Sequence, residues 1–281
     1  MKRTLTIFFV LITLSVFGQN NLTKKAQPIV EEGKLLYRSE MASWYGTDLF
    51  LANYKELENV GGYFSYSEND ISKCIFFSKG ENAKVIGTIS FDKTYVTKNA
   101  KIELNERGFT ALEKDLHLIR ELTMAEINSD TLFKLYENTN FNLIPLINGK
   151  ERKVYVLTGP KTNGVILFGN DYLLTFDKKN KLTSKKALHQ NLIPIYYGGE
   201  EENNKKVEGS IHNHSAETGD FITATDICTI MLYEEIAKWK THSVVSEKYL
   251  SRWDCERDEL VVISMDLIRK INESQEEENK K

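Results

Sequence analysis

The sequence predicts an α+β protein: a small N-terminal α+β domain over residues 20–140, followed by a mixed-sheet domain over 141–268. Three observations predict it. Short apolar runs are broken by Gly, Asn and Asp turn residues, a capped helix begins near Thr110, and a strand, a helix and further strands follow one another after residue 207. A hydrophobic share of 41% is enough to build a packed core and argues against disorder.

Lys2 and Arg3 precede an apolar run from Leu5 to Phe17, and Val16-Phe17-Gly18 offers a cleavage site near Gly18 or Gln19. Residues 1–19 therefore read as a secretory signal, too short for a comfortable membrane span. The run ending in Phe17-Gly18-Gln19 resembles the signal peptides of secreted Bacteroidetes proteins. The chain is expected in the periplasm or outside the cell, with no stable membrane span, and no cysteine follows the run to carry a lipid anchor. A formal charge of −3 gives no basic face, which excludes a nucleic-acid partner. Three cysteines, Cys74, Cys228 and Cys255, allow at most one internal disulfide, for which Cys228 and Cys255 are candidates.

Residues 20–33 are polar and read as a mobile lead-in. Strands are expected over 61–66, 74–78 and 84–91, the first two joined by the polar stretch 67–73. Thr110 and Glu113 form a capping-box pattern ahead of Leu112, Leu116, Ile119 and Thr123 at helical spacing. Asp130 is expected to cap a second, short helix through Leu132, Phe133 and Tyr136, and His117 to lie on a helix surface.

From Phe141 the pattern turns to strands. Runs at 143–147 and 153–157 flank Asn148-Gly149, a hairpin signal. Further strands are expected at 164–169, 172–176 and 191–195, with a charged loop over 200–206. A strand carrying two histidines comes next, then an amphipathic helix from Thr223 to about Lys240 with Ile227, Ile230, Met231 and Ala237 on its buried face. Strands at 243–246, 249–253 and 260–263 complete the sheet, and 269–281 reads as a disordered charged tail.

Chemistry concentrates in one stretch. His212 and His214 are two apart on a strand and point to the same face, about 7 Å apart at the backbone. Asp226 follows at a helix start, where the helix N-terminus favours negative charge. Two imidazoles and one carboxylate leave a fourth position for water, the pattern of a catalytic zinc site. The same Thr223-Ala224-Thr225-Asp226 is also a plain capping box that needs no metal.

Gly209-Ser210-Ile211-His212-Asn213-His214-Ser215, followed by Thr223-Ala224-Thr225-Asp226, resembles the JAB/MPN-type metalloprotease signature, the JAMM motif. The resemblance implies a cytidine-deaminase-like fold and a Zn2+ ion on His212, His214 and Asp226. It gives Thr223 a part in oxyanion stabilisation. It further implies a peptide or protein-like substrate cleaved at a peptide or isopeptide bond. Three departures stand out. Ser215 replaces a proline, the loop before Asp226 is one residue longer than usual, and the place of the general-base glutamate falls on Lys161. Glu208, on the strand face of His212 and His214, is the leading substitute base. Glu217, Asp171 and a Glu200–Glu202 loop hinged at Gly198-Gly199 are the others, and His189 and His242 read as ordinary residues. The expectation is an exported zinc hydrolase. The alternatives are a non-catalytic binding or envelope protein that keeps the fold, and a structural protein whose histidines are incidental.

Overall fold

The computed structural model describes residues 2–198 and 208–279, with side chains from residue 21 onward. The expected loop at 200–206 and Gly199 lie outside the described residues. The fold is α+β and divides into two bodies, one formed by Lys34–Tyr197, the other by Met1–Gly33 together with Gly198–Lys281. The boundary expected at 140/141 falls inside the first of these.

In the body Lys34–Tyr197, strands β1 (Val60–Glu68), β2 (Ile71–Ser78), β3 (Val85–Phe91) and β4 (Lys101–Glu103) form an antiparallel meander in chain order. Alternation along β2 sends Phe76 to one face and Ile75 and Phe77 to the other. On the first face Phe76 stacks at 3.8 Å on Phe50 of α1 (Lys2–Asn53), in a cluster with Ala42, Ile86 and Phe91. On the second face Ile75, Phe77, Phe64 and Val85 pack with Leu116 of α2 (Ala111–Ser129). The sheet is thus covered by a helix on each side. The Thr110–Glu113 capping box that starts α2 is present as expected. Burial raises the Glu113 carboxyl, but hydrogen bonds from Arg107 at 2.6 and 2.8 Å and from the Thr110 N–H outweigh it and hold the group below its usual range.

The far side of α2 faces a second antiparallel sheet. Its strands are β5 (Thr139–Asn148), β6 (Glu151–Pro160), β8 (Tyr172–Phe176) and β9 (Leu182–Ala187), in that order. Ile119 packs there with Val154, Val156, Tyr172 and Leu174. The β5–β6 hairpin turns at Asn148-Gly149, where Gly149 has φ +58°, a conformation glycine adopts without strain. Strand β7 (Val165–Gly169) leaves this sheet to pair with β10 (Leu192–Tyr196).

The body around residues 198–281 is a strand–helix–strand unit extended by a hairpin. Strand β11 (Gly209–Asn213) pairs in parallel with β12 (Thr241–Val245), joined through α3 (Ala224–Ala237). Strands β13 (Tyr249–Asp254) and β14 (Glu259–Ser264) then add antiparallel, and α4 (Met265–Asn279) follows. Trp253 and Val262 are fully buried, and the Ser251 hydroxyl accepts the Ile222 N–H at 3.3 Å. Gly33 of α1 lies so close to α3 that a Cβ there would stand 2.7 Å from the Ile227 Cβ.

Several expectations are corrected. The lead-in at 20–33 is helical, with Ala26 and Val30 buried and Thr23 accepting the Val262 N–H at 3.2 Å. No helix follows Asp130: its carboxylate accepts the Leu132 N–H at 2.8 Å and closes a turn instead. The tail expected to be disordered from 269 is helical to Asn279, with the Ser264 hydroxyl accepting the Leu267 N–H at 3.2 Å. His117 is half-buried, its ring 4.5 Å from Phe77 and 4.9 Å from Phe109. Helix α3 is buried at every position from Ala224 to Ile230, whereas Met231 and Ala237, expected on its buried face, are half-exposed. It ends at Lys238, which adopts a left-handed φ of +57°. No disulfide joins Cys228 to Cys255 among the described residues. Among the described residues no helix is long and apolar enough to cross a membrane.

Two outcomes are expected from this packing. Phe50→Ala removes a ring stacked in a closed core and should cost about 3–5 kcal/mol in denaturant unfolding. In the other body, Glu234 is buried on α3 beside the Trp253 Nε1–H at 3.3 Å, and burial pushes its carboxyl from 4.5 to about 7. A raised acid favours the folded state while protonated, so stability should fall as pH rises from about 4.5 to 7 and then level off. Glu234→Gln should flatten that slope in thermal melts taken across this range and leave the low-pH melting temperature unchanged.

Candidate metal centre

The histidine strand positions its residues by register. Ser210 and His212 both point from β11 toward α3, opposite His242 and Val244 of β12 in the parallel ladder. His214 lies one residue past the strand and is held there by its own N–H, which donates to the Val245 carbonyl at 2.8 Å. The crossover then returns the chain so that the first turn of α3 ends against the two rings.

Asp226 is the third residue of that turn and is fixed by its cap. Its Oδ2 accepts the Thr223 N–H at 2.9 Å and the Thr223 hydroxyl at 2.7 Å, and its own N–H donates to Thr223 Oγ1 at 3.1 Å. The carboxylate thereby meets both rings: His212 Nε2 lies 3.4 Å from Oδ1 and His214 Nε2 lies 3.1 Å from Oδ2. The two Nε2 atoms are 3.2 Å apart. All three residues are buried, with exposures of 5%, 7% and 1% for His212, His214 and Asp226.

These separations test whether the residues suit an ion. Ligands about 2.0–2.1 Å from a tetrahedral zinc stand about 3.3 Å from one another. The two Nε2 atoms, 3.2 Å apart, stand close to that value, and the carboxylate meets them through different oxygens, Oδ1 at 3.4 Å from His212 and Oδ2 at 3.1 Å from His214. The donor chemistry agrees. His214 Nδ1 faces the Phe221 carbonyl at 3.1 Å, and a carbonyl only accepts, so this nitrogen carries a hydrogen and in a neutral ring Nε2 presents a lone pair to the centre. A buried group made of His212, His214 and Asp226 can hold a metal ion.

The other nominated residues are placed as follows. Thr223 caps α3 and its hydroxyl is engaged by Asp226, so its place in the structure is to hold the carboxylate. Glu208 lies just before β11, half-exposed, with its carboxylate 2.8 Å from Lys240 Nζ. It is not brought to the cluster: four residues along a strand is about 13 Å. Glu217 is exposed in the loop before α3. Asp171 and His189 belong to the body Lys34–Tyr197, where His189 Nδ1 lies 2.7 Å from Asp171 Oδ1. His242, read from sequence as an ordinary residue, is fully buried with Nε2 2.9 Å from His212 Nδ1. Burial, reinforced by His212 and His214 and opposed by Asp226, pushes its ring down to about 3 and keeps it neutral. The signal that could have found it is its opposite-register position on the next parallel strand, which appears only once β11 and β12 are paired.

Compared with protein-family models, with curated proteins and with solved structures, the chain has no significant match.

The cap and the ligand share one carboxylate, which gives a two-part expectation. Thr223→Ala should lower stability by about 1 kcal/mol. Titrated with zinc by calorimetry, it should also bind more weakly than wild type, whereas Asp226→Ala should lose binding altogether.

Proposed function

We propose that this chain is an exported zinc-dependent hydrolase of JAB/MPN type, which cleaves a peptide or isopeptide bond at the His212–His214–Asp226 centre. The observation that carries the reading is the buried pair of Nε2 atoms 3.2 Å apart with the Asp226 carboxylate 3.1 to 3.4 Å from them, on a strand–helix–strand unit. His212, His214 and Asp226 would hold the zinc ion, which when bound would supply Lewis-acid activation of water. The chain's own residues do the rest. The Phe221 carbonyl fixes the ring of His214, and Thr223 fixes the carboxylate of Asp226. The partial positive charge of the α3 N-terminus stabilises that carboxylate in its ionised form. Export follows from the basic n-region and apolar run at residues 2–17.

One observation favours a second reading. The carboxylate nominated as general base, Glu208, is ion-paired with Lys240 and stands away from the centre. A binding or envelope protein that holds zinc without turnover would need no such base.

Elemental mass spectrometry of the purified chain should give about one zinc per protein, lost in a His212→Ala/His214→Ala double variant. A panel of fluorogenic peptide and isopeptide substrates should then show turnover that Asp226→Ala abolishes. Glu208→Gln should keep the rate within about two-fold, because a general base is worth about 10²–10⁴ and this carboxylate does not reach the site. Zinc without turnover on any substrate would select the second reading, and no zinc after reconstitution would remove both.

A further inference from the structure

We infer that His242 is a positioning residue for this centre: with Ser210 it forms a hydrogen-bond relay that decides which nitrogen of His212 carries hydrogen and therefore whether Nε2 can bind an ion. The inference rests on the metal reading above.

The relay is read from two contacts in series through one ring. His212 Nδ1 is 2.9 Å from His242 Nε2, and His242 Nδ1 is 2.6 Å from Ser210 Oγ. Ser210 and His212 are two apart on β11, so both reach across to the same ring on β12. The ring is fully buried, and Trp239 stands beside it with centroids 5.6 Å apart.

Each gap in the relay holds one hydrogen, and with neutral rings only two arrangements satisfy it. In the first, His212 Nδ1–H donates to His242 Nε2 and His242 Nδ1–H donates to Ser210 Oγ. His212 Nε2 is then a lone pair facing the centre. In the second, every bond runs the other way: the Ser210 hydroxyl donates to His242 Nδ1, His242 Nε2–H donates to His212 Nδ1, and His212 Nε2–H faces Asp226 Oδ1. The first arrangement takes a cation, and the second gives the carboxylate a hydrogen in its place. Each ring holds one hydrogen in both, so the change releases no proton. The two ligand histidines therefore differ. His214 backs onto a carbonyl that cannot donate, which locks it in the ligand form. His212 backs onto an imidazole that can donate or accept, so its form is reversible.

Long-range proton–nitrogen NMR on the full chain tests this without any substitution. Hydrogen on His212 Nε2 is expected without metal, and on His212 Nδ1 and His242 Nδ1 after one equivalent of zinc. Zinc affinity by chelator competition should fall about 10–100-fold in His242→Leu. In His242→Gln, whose side-chain oxygen can accept from His212 Nδ1–H, it should stay within about three-fold of wild type. If His242→Leu does not fold, the wild-type NMR pattern and the glutamine variant decide. Wild-type affinity in a folded His242→Leu, or zinc bound through His212 Nδ1, overturns the relay and leaves the metal centre standing. Absence of zinc binding by the wild-type chain overturns both.

Discussion

Asp226 is held by a helix cap before any ion is considered. Its Oδ2 accepts two hydrogen bonds from Thr223, and its backbone returns one. That reciprocal arrangement fixes where α3 begins, and the helix start in turn fixes how the crossover closes between β11 and β12. A carboxylate free to rotate would gain little from two buried imidazoles beside it. Locked by the cap, it stands 3.1 to 3.4 Å from them, and the cost of burying its charge falls on interactions that the fold already makes. A capping box and a metal ligand are alternatives when read along the sequence. In the folded chain the carboxylate that makes the cap is also the one that could hold an ion.

The same economy marks the other body. Helix α2 starts with a second capping box, and its acidic member, Glu113, is buried and bonded in bidentate fashion by Arg107. There the cap is satisfied by a guanidinium and the arrangement is complete. At Thr223–Asp226 the groups facing the cap are two imidazoles, which are neutral when they act as ligands. Two helix starts of the same design thus differ in what neutralises the acid. One is a closed ion pair, and the other is a place where a cation is stabilising.

Much of this was legible in the sequence. The strands β1 to β3, the hairpin at Asn148-Gly149, the α2 cap and the His212–His214–Asp226 set all follow from local patterns: alternation, turn chemistry and spacing along the chain. What escaped depends on partners distant in sequence. Residues 21–33 look polar, yet Ala26 and Val30 are enough to bury one face of a helix when Thr23 and Gly33 find β14 and α3. Strand β9, with its half-exposed Leu-Thr-Ser-Lys-Lys-Ala, has no apolar signal and exists because β8 offers it a ladder. His242 carries no motif, and only the parallel register sets it behind His212. The short helix expected after Asp130 failed for the opposite reason, since a local side-chain bond to Leu132 competes with helix formation.

The body that carries the candidate metal centre is discontinuous, drawn from Met1–Gly33 and Gly198–Lys281, while Lys34–Tyr197 is one uninterrupted stretch. During synthesis the uninterrupted stretch leaves the ribosome with all its strands, at a time when the segment bearing Ala26 and Val30 still has no sheet to pack against. That segment waits for β11 to β14, which follow the uninterrupted stretch in chain order. The candidate centre is accordingly completed only once the chain through Ser264 is present, and a chain cut before β14 leaves Ala26 and Val30 without part of the sheet of that body.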